Sequence, residues 1–359
     1  MGEKPRLILK AEPVEDDAEE APKAEMEEEK KKAPLDASWK TETQARVLTL
    51  TIPAPRGQIS DRNGEALAQN KVANYLALNF PFMEGADAAK ILAYAREKMA
   101  QANRVLEKNW DLPDEALLQH YEHRRWLPLV FSIEEGLNVD LTEDQVAKIR
   151  PLLGDGLELQ SAYVRYYPKG DTACHVVGYV GKVRKLPTGP IVDGDPLFEE
   201  LEGREGLELS FERELKGTPG MINLLFSPEG ELLSQEVLRR PVPGRNVVTT
   251  LDYHFQKYAE NALKKGARNG GSFVIMDVRT GDLLAMASNP GYDLNLWVPG
   301  IKSEDFKRLN ENPRKPLYPR AAFGQYPPAS TFKIVTALGA LESGKITERT
   351  SFDCDSSYY

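Results

Sequence analysis

DYHFQKYAENALKKGARNGGSFVIMDVRTGDLLAMAS, from Asp252 to Ser288, changes its hydrophobic period midway. The first part, Asp252 to Lys265, carries apolar residues at helical spacing, with Asp252 placed as an N-cap. The second part is two apolar runs, SFVIMDV and DLLAMAS, separated by the turn residues Arg279-Thr280-Gly281, the pattern of a β-hairpin. A Pro-, Asn- and Gly-rich stretch from Asn289 to about Pro328 reads as a long loop. YPPASTFKIVTALGALESG (Tyr326 to Gly344) then reads as a buried helix closed by Gly344. Helix, hairpin, loop and buried helix in this order begin a sheet flanked by helices.

Upstream, RVLTLTIPAPRGQISDRNGEALAQNKVANYLALNF (Arg46 to Phe80) reads as strands and turns. Asn63-Gly64 sits between Gln58-Ile59-Ser60 and Ala66-Leu67-Ala68, and both turn positions accept positive φ, which predicts a hairpin. From about Asp87 to Leu153 the period becomes helical, and from Leu157 to Gly181 it shortens again to that of strands. RPVPGRNVVTTLD marks a boundary near Pro243-Gly244.

At 359 residues the chain exceeds one ordinary core. The formal charge of -9 is uneven: Ala11 to Lys32 holds 10 acidic residues and 4 lysines, leaving -3 elsewhere. That segment has almost nothing to bury and is expected to be a disordered acidic tail, spanning 1–42. No basic patch interleaved with aromatics points to nucleic acid. No stretch approaches the roughly 18 apolar residues of a membrane span, and no signal peptide opens the chain. Cys174 and Cys354 fit two unrelated thiols better than a disulfide framework.

A serine hydroxyl attacks carbonyls well only when a neighbour takes its proton. Ser330 and Lys333, three residues apart at the start of an apolar helix, share one face. Desolvation by Phe332, Ile334, Val335, Leu338 and Leu341 is expected to favour the neutral amine that a base requires. The serine's own N–H, at the helix start, is placed to stabilise an oxyanion. With 15 serines and 24 lysines, about one Ser-x-x-Lys arises by chance, so the context carries the signal and not the spacing.

That context resembles the class B penicillin-binding proteins. Their pedestal motifs are matched in order by RGQISDRNGEALA (Arg56 to Ala68), RYYP (Arg165 to Pro168), HVVGYVG (His175 to Gly181) and GREGLELSFERELKGTPG (Gly203 to Gly220). GGSFVIMDVRTGDLLAMASNPGYDLN (Gly270 to Asn295) resembles the entry to the transpeptidase domain, and the Tyr326 to Gly344 segment its active-site helix. The resemblance implies an α+β multidomain chain. A tail over 1–42 precedes a dimerisation-type pedestal over 43–243, and the beginning of a serine β-lactamase-like transpeptidase domain follows over 244–359. It implies that Ser330 is acylated, that Lys333 takes its proton, and that peptidoglycan stem peptides and β-lactams are the ligands. Arg56, Gly57, Asp61, Arg62, Gly64, Arg165, Pro168, Gly206 and Glu208 become structural pedestal positions, with Arg56, Asp61 and Arg165 expected in ion pairs joining pedestal to catalytic domain. No cofactor or metal is implied. The implied setting is the extracytoplasmic face of the cytoplasmic membrane beside a glycosyltransferase partner, and GYVGKV and YPP lean toward the elongation type.

Ser-x-Asn and Lys-Thr/Ser-Gly, the family's second and third motifs, do not follow Lys333, and the family's N-terminal membrane helix is not in this sequence. The chain is therefore expected to be a fragment that is inactive by itself. Ala329 stands where the family usually has glycine, and Pro-Ala-Ser-Thr-Phe-Lys is also how class D β-lactamases and related sensors write this helix. That alternative remains open, as does a non-catalytic scaffold binding glycosyltransferases. His120 and His123, at i and i+3, lack a completing ligand pattern and are expected to be surface histidines. His175 and His254 are expected to make local hydrogen bonds, and Tyr166 and Tyr167 to be interface aromatics.

Overall fold

The computed structural model describes residues 46–227, 232–267 and 269–352. The tail over 1–42 and Cys354 lie outside the described residues. Alternation makes β1 (Arg46–Ile52) a strand with Leu48 and Leu50 inward. After a proline-bearing linker, β2 (Ile59–Ser60) turns back into β3 (Ala66–Leu78), with Ile59 opposite Ala68. The turn is the expected Asn63-Gly64, and Gly64 at φ +90° uses backbone space that L side chains rarely enter.

A helical lobe follows. Asp87 caps α1 (Ala88–Leu106) by accepting the Lys90 N–H, and α2 (Asp114–Arg124) packs beside it. The chain then makes β4 (Leu129–Val130), β5 (Ile133–Glu134) and β6 (Leu137–Asn138) before α3 (Glu143–Ile149), which opens on a Thr142/Gln145 capping box. These short strands interrupt the expected helical run, because Glu135 and Gly136 turn at φ 52° and 77°, which no right-handed helix allows. β7 (Leu157–Tyr166) returns antiparallel along β3, from Leu157 opposite Leu78 to Tyr166 opposite Gln69. Leu76, Met99, Leu117, Phe131 and Ile149 fill the lobe core.

His120 is not the surface residue expected. Its ring lies beside Phe80 and its Nε2 donates to the Leu127 carbonyl at 2.8 Å. Burial pushes its pKa from the usual 6.5 down to about 4, helped by the Arg124 charge and opposed by the Leu127 hydrogen bond. His123 keeps a partly exposed ring 3.9 Å from Glu122. The depressed folded value of His120 means that its contribution to stability is whole above pH 6.5 and lost as the pH falls toward 4, on the order of 3 kcal/mol in all. Urea unfolding between pH 7 and 4.5 should show that loss, and His120→Leu should flatten it. An equally steep profile in the variant would assign the loss to other groups.

Beyond β7 lie α4 (Cys174–Val177), β8 (Val180–Lys182), β9 (Asp195–Pro196), β10 (Leu201–Gly203), α5 (Gly206–Ser210), α6 (Glu212–Leu215), β11 (Gly220–Phe226) and β12 (Leu232–Arg239). α4 is a helical turn where the sequence reading expects an extended segment; it starts from Ala173, held at φ +52°. One sheet runs β12-β11-β1-β9, and β13 (Val247–Val248) lies parallel to β2.

The opening quotation folds as read. α7 (Tyr253–Gly266) is capped by Asp252 and packs Ala259 and Leu263 on Ala285 and Ala287 of the β14 (Gly271–Met276) and β15 (Leu283–Asn289) hairpin. The expected loop is partly helical, with α8 (Ser303–Asn310) bearing acidic residues in its first turn and basic ones in its last, and a short α9 (Arg320–Phe323). The chain ends in a 3₁₀ turn, Ala329–Phe332, and α10 (Lys333–Glu342).

Two compact units divide between Ala321 and Ala322. α10, expected to be buried, is exposed: Phe332, Val335 and Leu338 face solvent and Ile334 is 68% accessible. Among the described residues its own unit holds no second long element that covers that face.

Candidate active site

Pro327 and Pro328 lead into Ala329 at φ +47°, after which the chain closes a 3₁₀ turn. Across this turn the Lys333 N–H donates to the Ser330 carbonyl. Side chains three apart eclipse in a 3₁₀ turn, so the serine hydroxyl and the lysine amine leave the same side. The Pro328 carbonyl accepts the Thr331 N–H at 3.1 Å and the Thr331 hydroxyl. The Ser330 N–H lies in the first turn, beyond the reach of helical carbonyls and at the positive end of α10. A hydroxyl, an amine and a backbone N–H are the kinds of group that acyl transfer uses. Ser330 and Lys333 are exposed, so α10 does not itself supply the desolvation expected around the amine.

In the other unit a charge cluster sits where the first, second and fourth sequence motifs meet. Arg56 enters from the β1–β2 linker, Arg165 from β7 and Glu208 from α5. Glu208 is fully buried and Arg165 is 1% exposed. Arg165 Nε donates to Glu208 Oε1 at 2.6 Å, and Arg56 reaches Glu208 Oε2 through Nη2 at 2.9 Å and Nε at 3.2 Å. Arg56 Nη1 pairs with Glu212 at 2.8 Å. Arg165 Nη1 donates to the Gly57 carbonyl at 2.8 Å, and the Tyr167 hydroxyl donates to Glu208 Oε1 at 3.3 Å. Burial and the Glu208 charge hold that phenol well above its usual pKa. Two guanidiniums and two carboxylates balance, which is what allows the burial. Gly57 is confined by contact: a Cβ there would lie 1.8 Å from the Arg245 carbonyl oxygen. Gly206 begins α5 at φ +60°, and Pro168 follows the last strand residues of the RYYP motif.

The Arg56 and Arg165 ion pairs stay within the 43–243 pedestal and do not join it to the catalytic domain as expected, and Asp61 corrects the rest of that expectation. Among the described residues it makes no ion pair. It is a buried acceptor, Oδ1 taking the Asn63 and Glu65 N–H groups at 2.8 Å and Oδ2 the Tyr253 N–H at 2.9 Å. It thus ties the β2–β3 turn to the start of α7, while the Arg62 N–H reaches the Leu251 carbonyl. Asp252 beside it is partly desolvated, but the Phe255 and His254 N–H groups and Asn63 outweigh this and hold its carboxyl below the usual range. Farther along α7, Lys257 and Lys264 pair with Asp171, and Glu260 accepts the Ala173 N–H at 2.7 Å. Burial opposes the Asp171 charge, yet the two lysines keep its pKa low. Asn295 clasps the backbone N–H and carbonyl of Tyr167 from the loop after β15.

Residues 51–249, more than half the chain, match the penicillin-binding protein dimerisation domain, and residues 271–359 match the penicillin binding protein transpeptidase domain. The chain belongs to the class B penicillin-binding proteins. The peptidoglycan D,D-transpeptidase MrdA of Acinetobacter baumannii is 31% identical over 316 residues, covering 88% of this chain and 44% of that protein. MrdA of Escherichia coli K12 is 31% identical over 312 residues, covering 85% and 46%. A solved complex between penicillin-binding protein PBP2 and MreC from Helicobacter pylori is similar at a TM-score of 0.62 and 25% identity, over 85% of this chain and 54% of that one. A peptidoglycan synthase complex that coordinates polymerization and crosslinking is similar at 0.60 and 28%. The chain spans about half the length of the curated class B relatives it matches.

Sequence reading missed Glu212, Asn295 and the Asp171–α7 contacts, and it took Tyr167, which is buried with its hydroxyl on Glu208, for an interface aromatic. Glu212, four residues after Glu208, was the one with a local signal. Asn295 meets Tyr167 across 128 residues, a separation no local pattern reports. Cys174 is buried beside His175, whose Nε2 donates to the Pro316 carbonyl at 2.6 Å, a bond across 141 residues and not the local one expected. His254 is exposed at the start of α7. Among the described residues no three His, Cys, Asp or Glu side chains gather as metal ligands.

Proposed function

We propose that this chain is the pedestal, over 43–243, and the nucleophile-bearing start, from 244, of an elongation-type peptidoglycan D,D-transpeptidase. The observation that supports the reading best is the backbone bond from the Lys333 N–H to the Ser330 carbonyl, which puts the two residues one turn apart within the segment matched to a transpeptidase domain.

Ser330 Oγ attacks the carbonyl carbon of the penultimate D-Ala in a stem peptide, and its proton passes to the neutral Lys333 amine. The Ser330 N–H donates to the oxyanion. Collapse breaks the C–N bond, Lys333 hands the proton to the departing D-Ala nitrogen, and an acyl ester remains. An amine of a neighbouring stem peptide then attacks the ester. The cross-link forms, and the proton released returns through Lys333 to Ser330 Oγ. β-Lactams present the same amide within a strained ring and stop at the ester. The similar structures, a PBP2–MreC complex and a peptidoglycan synthase complex, support work within an assembly, and our reading puts this chain beside a membrane glycosyltransferase on the extracytoplasmic side of the membrane. No helix of the described residues is long and apolar enough to cross a membrane.

Fluorescent penicillin added to membranes of the natural host should label this protein on the peptide containing Ser330. The adduct should be long-lived, with a lifetime that added bicarbonate does not shorten. Label surviving Ser330→Ala would sink the assignment. Fast, bicarbonate-dependent turnover of a chromogenic cephalosporin, abolished by Lys333→Ala, would move the protein to the β-lactamases.

A further inference from the structure

Between α2 and the β3–β7 ladder lies a cavity of about 260 Å³. Strand alternation puts Ala73 and Tyr75 on one face of β3, and Ala162 of β7 pairs opposite Ala73. Two alanines leave space beside the Tyr75 ring. Leu127, Leu186, Leu197 and Val298 stand in the walls, so the lining is mainly apolar.

The charged side chains of the lining are already matched. Arg124 donates to Asp195 at 2.6 Å, and Glu199 accepts from Lys182 at 2.6 Å. Tyr75 is different. It is only 6% exposed, and its hydroxyl bonds to no described residue. That hydroxyl is not among the sealed polar atoms, so it opens on the cavity that Tyr75 lines. A phenol withdrawn from water without a partner costs free energy, and a mainly apolar space holds water poorly. A ligand that fills the apolar volume and brings one hydrogen-bonding group to Tyr75 removes both penalties. Matched charges give an ion no advantage. An apolar cavity of about 150 Å³ takes benzene, and in proportion this one takes an apolar body of about ten carbons.

We propose that this pedestal cavity is a binding site for a small neutral amphiphile, an apolar body of that size whose single hydroxyl or carbonyl bonds to the Tyr75 hydroxyl. Nothing in the site involves Ser330 or Lys333.

The test titrates the full natural protein with 2-naphthol, neutral at pH 7, by ligand-observed NMR. Saturable binding is expected with a dissociation constant below about 300 µM. Tyr75→Phe keeps the shape of the cavity and removes the hydroxyl, so it should weaken 2-naphthol about 3- to 10-fold. Naphthalene, the same body without the hydroxyl, should give equal saturation transfer with the wild type and Tyr75→Phe. Ala162→Phe puts a ring into the space and should weaken both probes roughly tenfold or more. Thermal unfolding shows whether each variant folds, and if Ala162→Phe does not, Tyr75→Phe decides alone. No saturable binding of 2-naphthol below about 1 mM overturns the site. So does binding that a folded Ala162→Phe leaves unchanged, or a Tyr75→Phe loss that is absent for 2-naphthol or equal for both probes.

Discussion

Lys333→Ala should slow acylation of Ser330 by β-lactam about 10²- to 10⁴-fold, with the fold retained. The magnitude is that of removing a positioned general base. The turn geometry motivates it: with Lys333 N–H on the Ser330 carbonyl, the amine is the titratable group carried on the serine's own side of the turn. Stopped-flow labelling with a fluorescent penicillin gives the rate, and circular dichroism checks the fold. Lys333→Arg should be as slow as alanine, since a guanidinium stays protonated and accepts nothing. A rate within threefold of wild type in either variant would remove Lys333 from the proton path.

Glu208→Ala should cost about 3–5 kcal/mol of stability, because it leaves Arg56 and Arg165 as facing buried cations. For a domain of this size that lowers the midpoint of thermal unfolding by roughly 6–20 °C. Glu208→Gln keeps the shape and some hydrogen bonds but not the charge, and should fall between the two. Glu212→Ala should cost much less, since its carboxylate is partly exposed and Arg56 retains Glu208. Calorimetry on the three variants tests the order; similar losses for Glu208→Ala and Glu212→Ala would show that the buried carboxylate is not the centre of the cluster.

What was legible in the sequence was local or patterned. Asn63-Gly64, the Asp252 cap, the α7 period and the β14–β15 alternation each depend on residues a few positions apart, and each formed as read. The ordered motifs identified the family, because five stretches in sequence order rarely coincide by chance. Misreadings arose where local pattern was outweighed. HVVGYVG reads as extended, but α4 forms there from the positive-φ Ala173, fixed by Glu260 on α7. His120 reads as a surface residue on a charged helix, yet Phe80 and the Leu127 carbonyl enclose it. The helix within the expected loop was written in the charges of Glu304, Asp305, Lys307 and Arg308, which composition alone obscured.

Residue type, spacing and order are properties of the chain itself, so the sequence determined the family, the spacing of Ser330 and Lys333, and most helix and strand positions. Which charges meet is a property of space. Only the tertiary structure decided that Arg56 and Arg165, separated by over a hundred residues, converge on Glu208, that Asp61 spends its carboxylate on the N–H of Tyr253, and that Ala329 adopts a left-handed backbone. The reason is physical: a buried charge is stable only when its partner arrives at hydrogen-bonding distance, and that arrival depends on how β1, β7, α5 and α7 pack, which no stretch of sequence specifies alone.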